Sequence, residues 1–157
     1  MKIGFGFDVH KFKMGRKLIL GGVDIACEYG LLGHSDADVL VHSIIDSMFG
    51  ALGLGDIGKH FPDSDEKYKD VSSLELLKIT YEMMRSRRYK ISNIDSSLVI
   101  EKPKIQYYVD KMVRNISEIL KVSENIVNIK ATTTENLGFV GRGEGASAYS
   151  VILIEEN

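Results

Sequence analysis

Hydrophobic and polar positions alternate at the start of the chain. Ile3, Phe5, Phe7 and Val9 fall on one face of an extended segment, and Gly4, Gly6, Asp8 and His10 fall on the other. The pattern predicts a strand from Ile3 to His10 with Asp8 and His10 pointing the same way. Gly4 and Gly6 add no bulk to that face, which leaves room for a third ligand and a substrate to approach. A hairpin follows, Lys17 to Leu20 and Val23 to Cys27 flanking Gly21-Gly22. Ser35-x-x-Asp38 then reads as a capping box opening a helix that runs to about Met48 and packs through Val39, Val41, Ile44, Ile45, Met48 and Phe49.

Residues 54–71 carry glycine, proline and several acids without periodicity, as a long functional loop does. A second helix is predicted from the pattern Ser72-x-x-Glu75 to about Arg87, and a strand from Ile91 to Ile100. Pro103 suits the first turn of a third helix whose apolar stripe runs from Ile105 through Met112, Ile116 and Leu120 to a stop near Lys121. Ile126 to Thr132 and Ala146 to Glu155 read as strands. The class is α+β, with three helices on one face of a roughly four-stranded mixed sheet and a small hairpin beside it. The other face needs cover, which self-association would supply.

At 157 residues, 44% hydrophobic and 27% charged, the chain has the size and composition of a single domain, 1–157, with a real core. A net charge of −2 gives no global attraction to nucleic acid or to an anionic membrane, so neither is an expected partner. The basic group Arg85, Arg87, Arg88 and Lys90 sits at a predicted helix end, where cations complement the dipole. One cysteine, Cys27, excludes an intrachain disulfide. Without a signal-like apolar core at Met1-Lys2-Ile3-Gly4 or an apolar run of membrane length, the expected location is the cytoplasm.

The chemistry concentrates in three clusters. Asp8, His10 and His42 supply two imidazoles and one carboxylate, a donor set for zinc that keeps a position free for a substrate oxygen. A lone Asp-x-His is often only a hydrogen-bonded pair. Here, however, three of the four histidines, His10, His34 and His42, fall in one constellation. Asp38, His42 and Asp46 share a helical stripe, which places an acid to hold the His42 ring. The second cluster is the loop holding Asp56, His60, Asp63 and Asp65. Its Gly53-x-Gly55-x-x-Gly58 matches dinucleotide-binding spacing, but it follows a helix and lacks the strand-turn-helix context. In the third cluster, Lys130-Ala131-Thr132-Thr133-Thr134-Glu135, a strand ends in three hydroxyls suited to phosphate oxygens, with Glu135 a ligand for magnesium bridging a diphosphate. No Walker-type lysine accompanies it.

Gly6-Phe7-Asp8-Val9-His10, Gly33-His34-Ser35-Asp36-Ala37-Asp38, Gly55-Asp56-Ile57-Gly58, Phe61-Pro62-Asp63, Pro103-Lys104 and the run from Lys130 to Glu135 with Gly141-Arg142-Gly143-Glu144-Gly145 closely resemble the 2-C-methyl-D-erythritol 2,4-cyclodiphosphate synthase family, collinearly from end to end. The resemblance implies an enzyme of isoprenoid precursor synthesis. It would convert 4-diphosphocytidyl-2-C-methyl-D-erythritol 2-phosphate to the cyclic diphosphate and CMP. It also implies a homotrimer with sheets facing the threefold axis and active sites between subunits. Asp8, His10 and His42 would then bind zinc, and Glu135 magnesium or manganese.

His34, Ser35, Asp56, Ile57, Gly58 and Asp63 match positions around the methylerythritol and its phosphate, and Asp8, Val9, His10, Asp46, Phe61 and Asp65 join them as expected substrate contacts. The stretch Ile100 to Gln106, with Pro103, Lys104 and Ile105, and Ala131, Thr132 and Thr133 match the cytidine side; Thr134, Glu135, Phe139 and Arg142 complete the neighbourhood. His34 and Thr133 would stabilise developing charge. Near the axis, where an apolar isoprenoid ligand is also expected, Phe5 replaces the histidine of many members. Two other classes use overlapping residues: a metal-dependent phosphohydrolase, which would direct water at phosphorus, and a trimeric nucleotide-binding module, which has no need of the metal triad.

Overall fold

The computed structural model describes residues 1–157. In chain order its elements are β1 (Lys2–Met14), β2 (Leu18–Leu20), β3 (Val23–Ile25), β4 (Tyr29–Leu31), α1 (Val39–Leu52), α2 (Ile57–His60), α3 (Ser73–Ser86), β5 (Tyr89–Val99), α4 (Val109–Leu120), β6 (Val127–Thr132), α5 (Gly138–Gly141) and β7 (Gly145–Glu156). The class is α+β, as the periodicities predict, with a mixed five-stranded sheet in the order β4-β1-β7-β5-β6. Only β5 and β6 run parallel, joined by α4 as a parallel crossover requires.

The fifth strand corrects the expected four. β1 continues past His10, and its extension pairs antiparallel with Tyr29–Leu31, Phe12 opposite Leu31 and Met14 opposite Tyr29. A strand of that length shows no readable alternation. The helix count also rises from three to five, because α2 and α5 are single turns inside segments that read as loops. The hairpin forms as predicted: β2 and β3 pair around Gly21 and Gly22, whose φ angles of 56° and 70° favour glycine.

Three helix boundaries differ from expectation. Ser35 does not cap α1. The backbone at Ala37 is left-handed, φ 57°, so no helix can run through it, and Asp38 takes the cap instead. Its Oδ1 accepts from Val41 N at 3.1 Å and its Oδ2 from Gly22 N at 2.7 Å, which ties α1 to the hairpin. At the other end Phe49, Ala51 and Leu52 extend the buried face, so α1 runs beyond Met48 until Gly53 stops it in a left-handed cap, φ 69°. Pro103 does not open α4. Residues Gln106–Tyr108 form a 3-10 turn first, although Ile105 already lies in the core and makes the stripe look continuous in sequence. Met112, Ile116 and Leu120 then bury the apolar side of α4 against α3 and β6.

The three long helices cover one face of the sheet, α1 lying on β1 and β7. Its approach is unusually close. A Cβ on Gly4 would stand 1.8 Å from Ser47 O, and one on Gly6 would stand 2.0 Å from Ser43 O. The strand face opposite is equally small, with Ala146, Ala148 and Ser150 on β7. A fully buried hydroxyl chain crosses this contact, Ser43 to Ser150 at 2.7 Å and Ser150 to Ser96 at 2.8 Å, leaving no member unpaired. The glycines therefore admit the backbone of α1 and not a substrate, and that corrects the expectation of open space beside Asp8 and His10.

On the opposite face, Ile3, Phe5, Phe7 and Val9 of β1 remain exposed beside Tyr149 and Val151 of β7, with Ile3 and Phe5 71% and 60% exposed. Phe7 and Tyr149 rings sit 4.9 Å apart. Replacing Gly6 by alanine would force its methyl into the α1 backbone, which cannot yield as a flexible side chain would. Gly6→Ala is expected to destabilise the fold by at least about 1–3 kcal/mol. A denaturant midpoint equal to wild type would refute the tight packing of α1 on β1.

Candidate metal centre and flanking hollows

Asp8 and His10 leave β1 on the side facing α1, and His42, one turn into α1, meets them. The Asp8 Oδ2 atom lies 2.9 Å from His10 Nε2 and 3.0 Å from His42 Nδ1, and the two ring nitrogens are 3.3 Å apart. These are the three residues whose donor atoms cluster as a metal site would require. Four ligands around zinc at about 2.0–2.1 Å stand roughly 3.3 Å from one another, so the triangle has the size and donor chemistry for one such ion. The donors fit a site of two imidazoles and one carboxylate, and all three residues line the adjoining hollow.

Burial by itself would raise the Asp8 carboxyl, but hydrogen bonds and charge from His10 and His42 reverse this and hold it well below the usual carboxylate range. His42 is shifted oppositely. Burial opposes its charge, yet Asp8, with smaller contributions from Asp38 and Asp36, lifts its pKa above the ordinary 6.5. The far nitrogen of His42, Nε2, faces two hydroxyls, Ser73 Oγ at 2.8 Å and Ser35 Oγ at 3.2 Å. Asp38 does not hold this ring, contrary to the stripe argument; it is fully buried, occupied by backbone amides, and pushed up to about 6 by burial and the neighbouring Asp36 charge. Asp46 is likewise turned away and accepts from Ile57 N at 3.2 Å.

Beside the triangle opens a hollow of about 330 Å³. It is lined by Asp8, His10, His42, Gly33, His34, Ser35, Ile57, Gly58, Phe61, Pro62, Asp63, Tyr68 and Leu76. His34 Nε2 is buried there without a partner in the protein. Asp56 and Asp65 lie outside this lining and act as local caps, Asp56 for Lys59 N at 3.0 Å and Asp65 for Lys67 N at 3.2 Å. Val9 points to the opposite face. His60 is stacked on Phe49, centroids 4.1 Å apart, and its Nε2 lies 3.1 Å from Leu54 O, so it belongs to packing and not to the hollow.

A second hollow, about 210 Å³, lies at the ends of β5 and β6, lined by Ile100, Glu101, Pro103, Lys104, Ile105, Gln106, Ala131, Thr132 and Thr133. It shares no residue with the first, and on the sheet β7 separates β5 from β1. Glu101, which lies within the expected stretch Ile100 to Gln106 but has no role of its own in the sequence reading, organises its rim. Its Oε1 accepts from Thr134 N at 2.9 Å, Thr134 Oγ1 at 3.0 Å and Asn136 N at 3.1 Å. Those bonds hold Glu135 and Asn136 in left-handed backbone, φ 54° and 63°. The signal was a glutamate two residues before Pro103, which carries no recognisable spacing. Glu135 is exposed and accepts from Thr133 Oγ1 at 2.9 Å, and Arg142 pairs with Glu144 at 2.8 and 3.2 Å. Phe139 is exposed on α5 nearby.

The profile of the YgbB family matches residues 1–155. The chain belongs to the YgbB family. Relatives in that family named 2-C-methyl-D-erythritol 2,4-cyclodiphosphate synthase include those of Clostridium novyi, 56% identical over 99% of both chains, and Chlorobaculum tepidum, 56% identical over 99% of both. Among solved structures, the bifunctional IspDF of Campylobacter jejuni superposes with a TM-score of 0.96 at 44% identity, covering 99% of this chain and 42% of that one. IspF of Plasmodium falciparum, in a CDP complex, superposes at 0.87 with 34% identity, covering 99% and 96%. The five-stranded α+β architecture is thus that of the YgbB family.

A cation at the triangle must displace the proton that His42 holds below its raised pKa. In the metal-free fold the His42–Asp8 attraction is fully present below 6.5 and is lost as pH rises through the raised value. Zinc affinity is therefore expected to climb about tenfold per pH unit through that window and then flatten. Chelator competition over a pH series checks this; affinity independent of pH on the acid side would contradict ligation through His42.

Proposed function

We propose that the chain is a 2-C-methyl-D-erythritol 2,4-cyclodiphosphate synthase, a cyclising, CMP-releasing phosphorus-oxygen lyase of isoprenoid precursor synthesis contained in a single domain. The observation that carries the reading is the Asp8-His10-His42 triangle opening onto a polar hollow, in a chain of the YgbB family. In the reaction, an oxygen of the 2-phosphate attacks the β-phosphorus of the diphosphate. One phosphorus-oxygen bond forms, the bond to CMP breaks, and no water is consumed. The nucleophile is already anionic, so no serine, cysteine or histidine nucleophile is required, and catalysis rests on alignment and charge neutralisation.

Zinc held by Asp8, His10 and His42, and magnesium or manganese at Glu135, would neutralise phosphate charge when bound. The remaining work belongs to side chains. His34 presents an unpartnered ring nitrogen at the metal-side hollow, suited to a phosphate oxygen that gains charge. Ser35, Ile57, Gly58, Phe61 and Asp63 shape the pocket for the methylerythritol. Ile100, Pro103, Lys104, Ile105 and the run Ala131 to Thr133 receive the cytidine end, with Thr133 next to Glu135 placing a hydroxyl at the diphosphate. Asp46, Asp56 and Asp65 act through the backbone they cap.

The two hollows hold complementary halves of this substrate and share no residue within one chain. A homotrimer, sheets facing the threefold axis, supports joining the metal side of one subunit to the cytidine side of the next. The uncovered apolar face of β1 and β7 is the surface such an assembly would bury, and Phe5 would line an axis able to accept an apolar isoprenoid. No helix is long and apolar enough to cross a membrane, consistent with the proposed cytoplasmic setting.

The test is incubation with the cytidyl substrate plus zinc and magnesium, followed by product mass. The expected products are CMP and a cyclic diphosphate. A linear product heavier by one water would establish hydrolysis instead, and binding without turnover would leave only the nucleotide-binding module.

A further inference from the structure

His42 is the one ligand of the triangle presented by a helix, and its usefulness depends on which ring nitrogen carries hydrogen. Nδ1 faces Asp8 and His10, so ligation requires hydrogen on Nε2. The Nε2 atom meets Ser73 Oγ at 2.8 Å. Ser73 belongs to α3, far from His42 in sequence, and is fully buried. Its own hydroxyl makes a short contact with Asp36 Oδ1, while Ser73 N donates to Asp36 Oδ2 at 2.9 Å.

The direction of this chain follows from donor and acceptor chemistry. An ionised carboxylate only accepts, so the Ser73 hydrogen points to Asp36, and its oxygen lone pair is left toward the ring. His42 Nε2–H is then the donor to Ser73, so the nitrogen that gives up its hydrogen and offers a lone pair to a cation is Nδ1, which otherwise donates to Asp8. Ser35 Oγ, 3.2 Å from the same nitrogen, also accepts from Ala37 N but has no carboxylate to orient its hydrogen, so it can adapt to either tautomer. Asp36 is itself held, its amide donating to Val71 O at 3.2 Å and its Oδ1 accepting from Asp38 N at 3.2 Å.

We infer that Asp36 and Ser73 form a relay that sets the His42 tautomer and ring orientation for cation binding, making both positioning residues of the metal centre. The inference rests on the metal reading of Asp8, His10 and His42. It also gives the junction of α1 and α3 a role beyond packing: Asp36 takes both the amide and the hydroxyl of the first residue of α3, so the start of that helix is locked to the metal ligand of another.

Zinc affinity is to be measured by competition with a chromophoric chelator on purified wild type, Ser73→Ala, Asp36→Ala and the double variant, with circular dichroism of each metal-free protein. Each single change is expected to weaken zinc binding about 10–100-fold. The double variant is expected to bind no more weakly than the weaker single, because both interrupt one chain. Independent structural roles would instead make the two losses multiply, which would overturn the relay. Wild-type affinity in folded Ser73→Ala would overturn it as well. If Ser73→Ala does not fold, Asp36→Ala alone must show the loss, and unchanged affinity there has the same meaning. Failure of the wild type to bind zinc would sink the metal reading itself, a distinct outcome.

Discussion

The distance between α1 and β1 governs the rest of the molecule. Elements packed on a sheet face are normally held off by their side chains, two stacked sheets standing about 10 Å apart. Here Gly4 and Gly6 remove the side chains on one strand, and Ala146, Ala148 and Ser150 keep the next one small, so the helix backbone sits where Cβ atoms would otherwise be. A histidine one turn into the helix then reaches the carboxylate and imidazole of the strand, within 3.0 and 3.3 Å. The serine chain Ser43, Ser150 and Ser96 belongs to the same device: it fills the narrow gap with groups small enough to fit and satisfies each hydroxyl among neighbours. Gly4 and Gly6 are therefore part of the metal centre although neither contributes a ligand.

That dependence explains what was legible in the sequence and what was not. The alternation from Ile3 to His10 and the helical spacing after it placed Asp8, His10 and His42 together, because each signal is local and periodic. The role of the glycines is not legible, since a missing side chain is equally compatible with an approaching ligand and an approaching helix. Helical spacing puts Asp38 and Asp46 each one turn from His42, but the left-handed backbone at Ala37 makes Asp38 the cap, facing amides, and Asp46 accepts from Ile57 N. The residues that do contact the far side of His42, Ser35 and Ser73, come from a loop and from a distant helix. Ser73 in particular is brought in by tertiary packing, which no spacing announces. The bonds from Glu101 to the amides of Thr134 and Asn136 are unannounced for a similar reason, and β4 is too short to show a period.

The electrostatics divide the site into complementary regions. Two imidazoles outweigh burial at Asp8 and hold its carboxyl well below the usual carboxylate range, and Asp8 in turn raises His42, so the triangle without a cation pairs with itself. The same donor set would hold a divalent ion in place of the His42 proton. The second hollow has the opposite character, with an exposed lysine, Lys104, and a strand-end hydroxyl, Thr134, held by one carboxylate, Glu101. Between these regions runs β7, and beyond it the uncovered apolar face. The same strand β1 thus carries the Asp8–His10 donors on one side and an uncovered apolar face on the other, a direct outcome of period-two alternation.

The most direct test is the zinc-edge anomalous difference map of crystals of the zinc-loaded protein. The account predicts one peak about 2.0–2.1 Å from Asp8 Oδ2, His10 Nε2 and His42 Nδ1, with His42 Nε2 still on Ser73. Zinc bound through His42 Nε2, or a peak away from the α1–β1 contact, would contradict it.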